Sequence, residues 1–454
     1  MTETLISKKP NGNTVYSIDI PFRLVGGIAL LLILPLCVMA QAQAQANENS
    51  VEQSILTDFN LRLSGFGTLG VVKNSSDELY FHREFSMKAS SSEYSFKTDS
   101  LLGLQLNGDV TERLDGVAQV VIKDRASVDA LDSIELLFLR YRPSRGWAIR
   151  AGRTSTDLYM LSEYRNVSYA YLWSRPIPEF YAITSSVAKI DGLDISYILS
   201  LEEGSWETKL AYGITHSSLI SQAGLVELDF NHALALTSIY TENDWTMRLA
   251  VVSIEVDEIE FLTNELVEGL NLVPDTLWPE AGKLAQSIDG PGKKLAYYAL
   301  GFQYDHMNWV IQSELGYIDS EWGIFQSLYN GYLSVGYRVD EITYYGVLAS
   351  IDNAEEPDEY VSPQLPDQLP QELKAGIAAL YEGGVAALSV SQFEQTTFSL
   401  GLRWDLYPDA CIKLQWDHTW IDQGGMAMWT QAQQQVGDAE VDLLSLNINF
   451  IFSL

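Results

Sequence analysis

The chain has five histidines, His82, His216, His232, His306 and His418, and none is paired at a spacing that would hold a metal. No G-x-S-x-G segment marks a serine nucleophile. Gly65-Phe66-Gly67-Thr68-Leu69-Gly70 fits G-x-G-x-x-G, the pattern of a phosphate cradle. That chemistry needs a strand before the glycines and a helix N-terminus after them. Here the glycines lie inside an alternating segment, and VVKNSSDELYFHREF behind them has no helical period. They read as places where a strand bends or a neighbour approaches closely. No catalytic residue, cofactor or metal is expected. A hydrolase assembled from Ser, His and an acid on separate strands is the enzymatic alternative.

The segment 154–185, TSTDLYMLSEYRNVSYAYLWSRPIPEFYAITS, concentrates a different chemistry. It sets Asp157, Glu163, Arg165, Arg175 and Glu179 among aromatic rings. Such a segment is unfavourable to leave exposed. Folded into a water-filled interior, it would bury the rings and turn its charges to water. Packing against neighbouring loops is the other arrangement.

The elements that would position it are strands. Residues Leu444, Leu446, Ile448, Phe450 and Phe452 alternate with Ser445, Asn447, Asn449 and Ser453. The same period of two runs from Leu61/Leu63 through Leu137/Leu139, Leu249/Val251, Leu300/Phe302, Tyr345/Val347 and Leu400/Leu402, about 16 strands in all. Short turns at 107–109, 143–146, 202–205, 242–244, 306–308, 340–341 and 407–409 alternate with long connections near 72–98, 125–132, 154–185, 216–225, 258–293, 319–327, 352–394 and 422–440. This parity is the pattern of a transmembrane antiparallel up-and-down β-barrel, an all-β fold with short turns on one side and long outer loops on the other. Trp147, Trp245, Trp309, Trp404, Trp416 and Trp420 sit near strand ends, where an aromatic girdle belongs.

At the N-terminus, Leu24–Ala40 is apolar, follows Lys8, Lys9 and Arg23, and precedes alanines at alternate positions up to Ala46. Residues 1–46 are therefore expected to be a signal peptide, 47–58 a short periplasmic segment and 59–454 the barrel. Removing the peptide takes the net charge from −32 to −33, because it carries three basic and two acidic residues. Such acidity excludes nucleic acid as a partner. Cys411 is then the one cysteine left, so no intrachain disulfide forms.

The leader, the first strand LRLSGFGTLGVV, the pair FLRYRP…WAIRAGR and the terminal NINFIFSL resemble those of Gram-negative outer-membrane porins. The resemblance implies 16 strands, a homotrimer and a third outer loop folded into the pore as a constriction. It implies residence in the outer membrane, contact with its lipid and lipopolysaccharide, and recognition of the C-terminal strand by the barrel-assembly machinery. Members typically end in Phe, whereas this chain ends in Leu454.

Polar positions opposite the apolar faces are expected to point inward. The expected pore-lining and constriction set is Arg62, Lys123, Arg140, Arg142, Arg150, Arg153, Asp157, Glu163, Arg165, Arg175, Glu179 and Arg403. The function that follows is passive diffusion of small hydrophilic solutes and ions, size-filtered by the inserted loop, with a mild preference for anions. A carboxylate- or phosphate-selective channel is the alternative.

Overall fold

The computed structural model describes residues 60–453 except 91–92, 128, 222–223, 261–262, 357, 390, 427 and 432–437. The signal peptide and the segment 47–58 lie outside the described residues. Sixteen long strands follow one another, each antiparallel to the next: β1 Asn60–Asn74, β2 Leu101–Thr111, β3 Leu114–Ile122, β4 Ile134–Tyr141, β5 Trp147–Ser155, β6 Lys189–Leu201, β7 Gly204–Ser221, β8 Gly224–Glu242, β9 Trp245–Glu260, β10 Lys294–His306, β11 Trp309–Ser320, β12 Leu328–Val339, β13 Ile342–Asn353, β14 Phe393–Tyr407, β15 Ala410–Met426 and β16 Ala439–Ser453. β16 returns to β1 in a ladder from Ser64↔Ser453 to Asn74↔Leu443, which closes the barrel.

Alternation turns one face of every strand outward. Leu104, Leu139, Leu193, Leu236, Leu249, Leu300, Leu315, Leu400 and Leu446 are all exposed there. This continuous apolar band far exceeds what a soluble surface tolerates, and lipid is the solvent that suits it. Cross-strand aromatic pairs, Trp147–Tyr197 and Trp309–Tyr337 among them, border the band beside the short turns. Tyr298, Tyr317 and Tyr329 stack along its other border. From Trp309 to Tyr317 the strand advances about 27 Å at ~3.4 Å per residue. With a tilt of about 35–45° that is roughly 19–22 Å along the axis, somewhat short of the ~25 Å apolar band of such barrels.

Three sequence expectations are corrected. Asn107, Gly108 and Asp109 do not turn; they pair with Val117, Gly116 and Asp115, and the turn falls at 112–113. The segment 216–225 is not an irregular loop, because β7 and β8 continue as a hairpin to Ser221 and Gly224. On β13 the faces are reversed: Tyr344 and Leu348 are 52% and 54% exposed, while Tyr345 and Val347 are 4% and 3%. Both faces of that strand are apolar there, so periodicity alone did not identify the lipid side.

Helices were not anticipated. In the long connections, α1 (Pro178–Thr184) belongs to the third, α2 (Thr263–Asn271) and α3 (Ala281–Ile288) to the fifth, and α4 (Gln371–Leu388) to the seventh. The last three pack around Leu270, Trp278, Leu284, Ile288, Ile377 and Leu388 as a small cap with its own core. Gly384 permits the close approach, since a Cβ there would stand 2.5 Å from Leu284.

The reversed register is testable. Leu348→Arg should destabilise the folded barrel in vesicles by about 2–4 kcal/mol in urea titration, the range for a cation on the lipid face near the midplane. A cysteine at 347 should resist a lipid-soluble thiol reagent that labels a cysteine at 348.

Candidate functional site

The third long connection, residues 156–188, turns inward and crosses the barrel. Its start is pinned by Asp157, which takes a positive φ of 59° and meets Lys209 of β7 at 2.8 Å and Arg248 of β9 at 3.3 Å. Arg248 also donates to the carbonyl of Tyr159 at 2.7 Å, and the amide of Met160 donates to Glu314 of β11 at 2.8 Å. On the far wall, Trp173 Nε1 donates to Ser334 at 2.8 Å and the Ser174 amide to Gln415 at 2.8 Å. Lys413 of β15 gives hydrogen bonds to the carbonyls of Ser168, Tyr171 and Trp173. Tyr169 reaches as far as the short turn, where its hydroxyl donates to the Pro408 carbonyl at 2.7 Å.

Two fastenings are electrostatic. Arg175, 1% exposed, forks onto Asp99 of the first long connection at 2.9 and 2.8 Å and onto Asp417 of β15 at 2.9 Å. Glu179, equally buried on α1, accepts from Gln395 at 2.7 Å and from Thr397. Burial without a cation pushes the Glu179 carboxyl up from its ordinary value, against the hydrogen bonds from Thr397 and Gln395.

The loop divides the interior into unlike halves. Toward β7–β13, inward residues near the long loops are apolar, among them Phe230, Val252, Ile254, Tyr297 and Ile318. They pack on Leu158, Phe180 and Ile183 of the loop as a dry core. Toward β1–β6, the short-turn half holds a cavity of about 810 Å³ with a mixed lining, Ser64, Gln105, Gln119, Arg140, Arg150 and Glu163 beside Phe66, Val117, Phe138 and Val167. Beyond Glu163 the space narrows to two cavities of about 20 and 30 Å³, both bordered by Glu135, Arg165 and Lys189.

Around this neck stand Arg83, Lys123, Arg125, Arg165 and Lys189, with Glu84, Glu135 and, at the rim, Asp132. Lys123 meets Glu84 at 2.8 Å and Arg125 meets Glu135 at 2.5 Å. Burial raises the Glu84 carboxyl, but Lys123, Arg165 and Arg83 outweigh it and hold the group well below the usual carboxylate range. Cations are in excess, and the lysine absorbs the strain. Burial, aided by Arg125 and Arg165 and opposed by Glu84 and Glu135, brings Lys123 down to about 7.

The structure places the twelve expected residues in three groups. Arg62 faces inward near the short turns, 3.5 Å from Asp109, and Arg140 and Arg142 share Asp115 at 2.8 and 2.5 Å. Arg150 links Asp194 on the wall to Glu163 on the loop, each at 2.9 Å, and Arg403 donates to the loop carbonyl of Tyr169 at 2.6 Å. Lys123 and Arg165 belong to the neck. Asp157, Arg175 and Glu179 are enclosed and fasten the loop, so they do not face open water. Arg153 is a correction. Its register partners are Leu137 and Asp191, and the next in line is exposed Ile214, so it faces outward. There, at the long-loop end, it pairs with Asp191 at 2.7 Å. Sequence reasoning missed Arg83, Glu84, Arg125, Glu135 and Lys189, which come from the first and second long connections and the ends of β4 and β6, with no shared spacing. It also missed Lys209 and Arg248 as anchors of Asp157.

The glycine pattern of β1 has a packing role. A Cβ at Gly65 would stand 2.3 Å from the Phe452 ring, and one at Gly67 2.5 Å from that of Phe450. His418 pairs with Asp442 at 2.9 Å and neighbours Trp416 and Trp420 on the outward face. Among the described residues no cluster of His, Cys, Asp or Glu could hold a metal ion.

No family model matches the chain, and no curated protein does. Solved structures that align with it include outer-membrane expressed OmpT of Vibrio cholerae, at 11% identity and a TM-score of 0.45 over 86% of this chain and 98% of that one. OmpF of Salmonella typhi, in complex with daunomycin, aligns at 12% identity and 0.49 over 86% and 97%. The outer membrane channel DcaP of Acinetobacter baumannii aligns at 12% and 0.46 over 87% and 98%. Likeness at this level is one of outline.

Arg175→Met would leave Asp417 buried without its cation and Asp99 with only Arg83 at 4.0 Å, a loss of about 3–5 kcal/mol for a broken buried pair. Faster proteolysis within 156–188, with the barrel's β-spectrum intact, is the expected readout. For Glu179, the raised value means that its stabilising contribution is complete below the unfolded carboxyl value, about 4.3, and is lost as pH rises through the folded one. The melting temperature of Glu179→Gln, which keeps an acceptor but cannot ionise, should fall less than the parent's over that rise.

Proposed function

We propose that the chain is a narrow, water-filled channel of the outer membrane that passes small ions, anions ahead of cations, and holds back larger solutes at the neck. The observation that carries this reading is the polar route itself. It follows β1–β6 from the 810 Å³ cavity to the two small ones, which adjoin through shared bordering residues, beside the apolar core of the other half. A cavity of 20–30 Å³ has room for about one water or a halide-sized ion. Sugars and amino acids are too large for this conformation, so the reading is tighter than open diffusion of small hydrophilic solutes.

Anion preference is supported by the local balance, not by the net charge of the chain. Charges on outer loops more than about 8–10 Å away are screened at physiological salt. Five basic side chains surround Glu84 and Glu135, with Asp132 at the rim. Arg125 borders the 30 Å³ cavity, and its Nε has no hydrogen-bond partner among the described residues, so a passing anion would meet a donor already in place. Residence in the outer membrane, a homotrimer, lipopolysaccharide contact and handling by the barrel-assembly machinery belong to the same reading and rest on the resemblance of the sequence.

Bilayer recording tests it. The parent should give a small single-channel conductance and an anion-side reversal potential across a KCl gradient, and vesicles carrying it should not swell in glucose. Lys123 loses its proton as pH rises through about 7. Anion preference should therefore fall between pH 5.5 and 8.5, and Lys123→Met should show the high-pH value at both. Deleting 161–167, which removes Glu163 and Arg165, should raise conductance several-fold. A cation-selective parent with no response to pH or to the deletion would reject the neck as the filter.

A further inference from the structure

Beside the loop helix, on the side away from the neck, the barrel holds an apolar cavity of about 90 Å³. Leu228 and Phe230 of β8, Val252 and Ile254 of β9, and Trp322 and Phe325 of the sixth long connection form part of its wall. The few polar groups there offer a guest little. The Thr184 hydroxyl is spent on the carbonyls of Phe180 and Tyr181, and Trp322 Nε1 donates to the Ile288 carbonyl at 2.9 Å. The Tyr297 hydroxyl lies beside Gly316 and has no hydrogen-bond partner among the described residues. Water needs two to four polar partners to stay in such a space, so the cavity is dry.

A dry void of this size is out of place in a close-packed interior. It has about six times the ~15 Å³ that one water needs, whereas native cores keep few voids larger than a water. The residues that border it gain nothing by facing a wet pore, where polar side chains suffice. Its roof is also specific. Trp322 and Gly323 are tied to the α3 end of the cap, at Ile288 and Ser287, and Ile324 packs on both the lumen core and the cap core. The cap therefore holds the segment that closes the cavity.

We propose that this cavity is a binding site for one small apolar molecule of single-ring size, held beneath the helical cap. The site takes its guest by exclusion from water and shape, not by hydrogen bonding. It is independent of the ion-channel reading, because none of the named wall residues borders the polar neck.

Crystals of the full chain exposed to toluene vapour, and others under xenon pressure, test this. Both guests should appear between Val252 and Trp322 in the parent. In Val252→Phe or Ile254→Phe, two fillings chosen so that either can stand if the other fails to fold, toluene should be lost while bilayer conductance stays at the parent's value. Xenon without toluene in the parent would reduce the cavity to a packing void and overturn the proposal. Ordered waters in its place, or toluene retained in both filled variants, would overturn it as well.

Discussion

A sheet that crosses a bilayer leaves no backbone edge, because each unpaired amide or carbonyl in hydrocarbon is unfavourable by several kcal/mol. Here the edge is removed by the ladder between β1 and β16, eleven register pairs from Ser64↔Ser453 to Asn74↔Leu443. Everything else follows from that closure. It fixes an even number of strands and an outside that must be apolar. It also creates an inside that no ordinary core fills. The glycines of β1 serve the same seam, letting Phe450 and Phe452 lie across it where any side chain would collide.

An interior of this width has two physical solutions, water or protein, and the chain uses both. The third long connection fills the β7–β13 side with Phe180, Tyr181, Ile183 and Leu158, and there the inward residues near the long loops are apolar like the outward ones. The β1–β6 side keeps open space and carries the ionic groups of the neck. The loop is held across this boundary mostly by its own backbone. Lys413, Arg403 and Arg248 all donate to loop carbonyls, which satisfies acceptors that an irregular segment leaves open. Where charge is buried outright, as at Arg175, it is forked onto two carboxylates and so neutralised in place.

The division explains how a strongly acidic protein can present a basic neck. Acidic residues are many on the long loops, but the groups that face one another at the neck are drawn from β3, β4 and β6 ends and from the first and third loops. Net charge is a sum over the chain, whereas the field at a point depends on what stands within a few ångströms.

The sequence by itself determined the barrel, the strand number, the lipid face of nearly every strand and the unusual character of residues 154–185. These are legible because alternation and turn spacing are local, and lipid imposes one rule on every outward position. It also placed Arg140, Arg142, Arg150 and Arg403 on the inner face, since each sits opposite an unambiguous apolar row. Only the tertiary structure decided the face of β13, where Tyr344, Tyr345, Val347 and Leu348 are apolar on both sides. It also decided the outward turn of Arg153 beyond the lipid band and the cap built from α2, α3 and α4. Above all it decided which charges meet at the neck. Arg83, Lys123, Glu135, Arg165 and Lys189 have no spacing in common, and they become neighbours only because a closed barrel forces one loop to cross its interior.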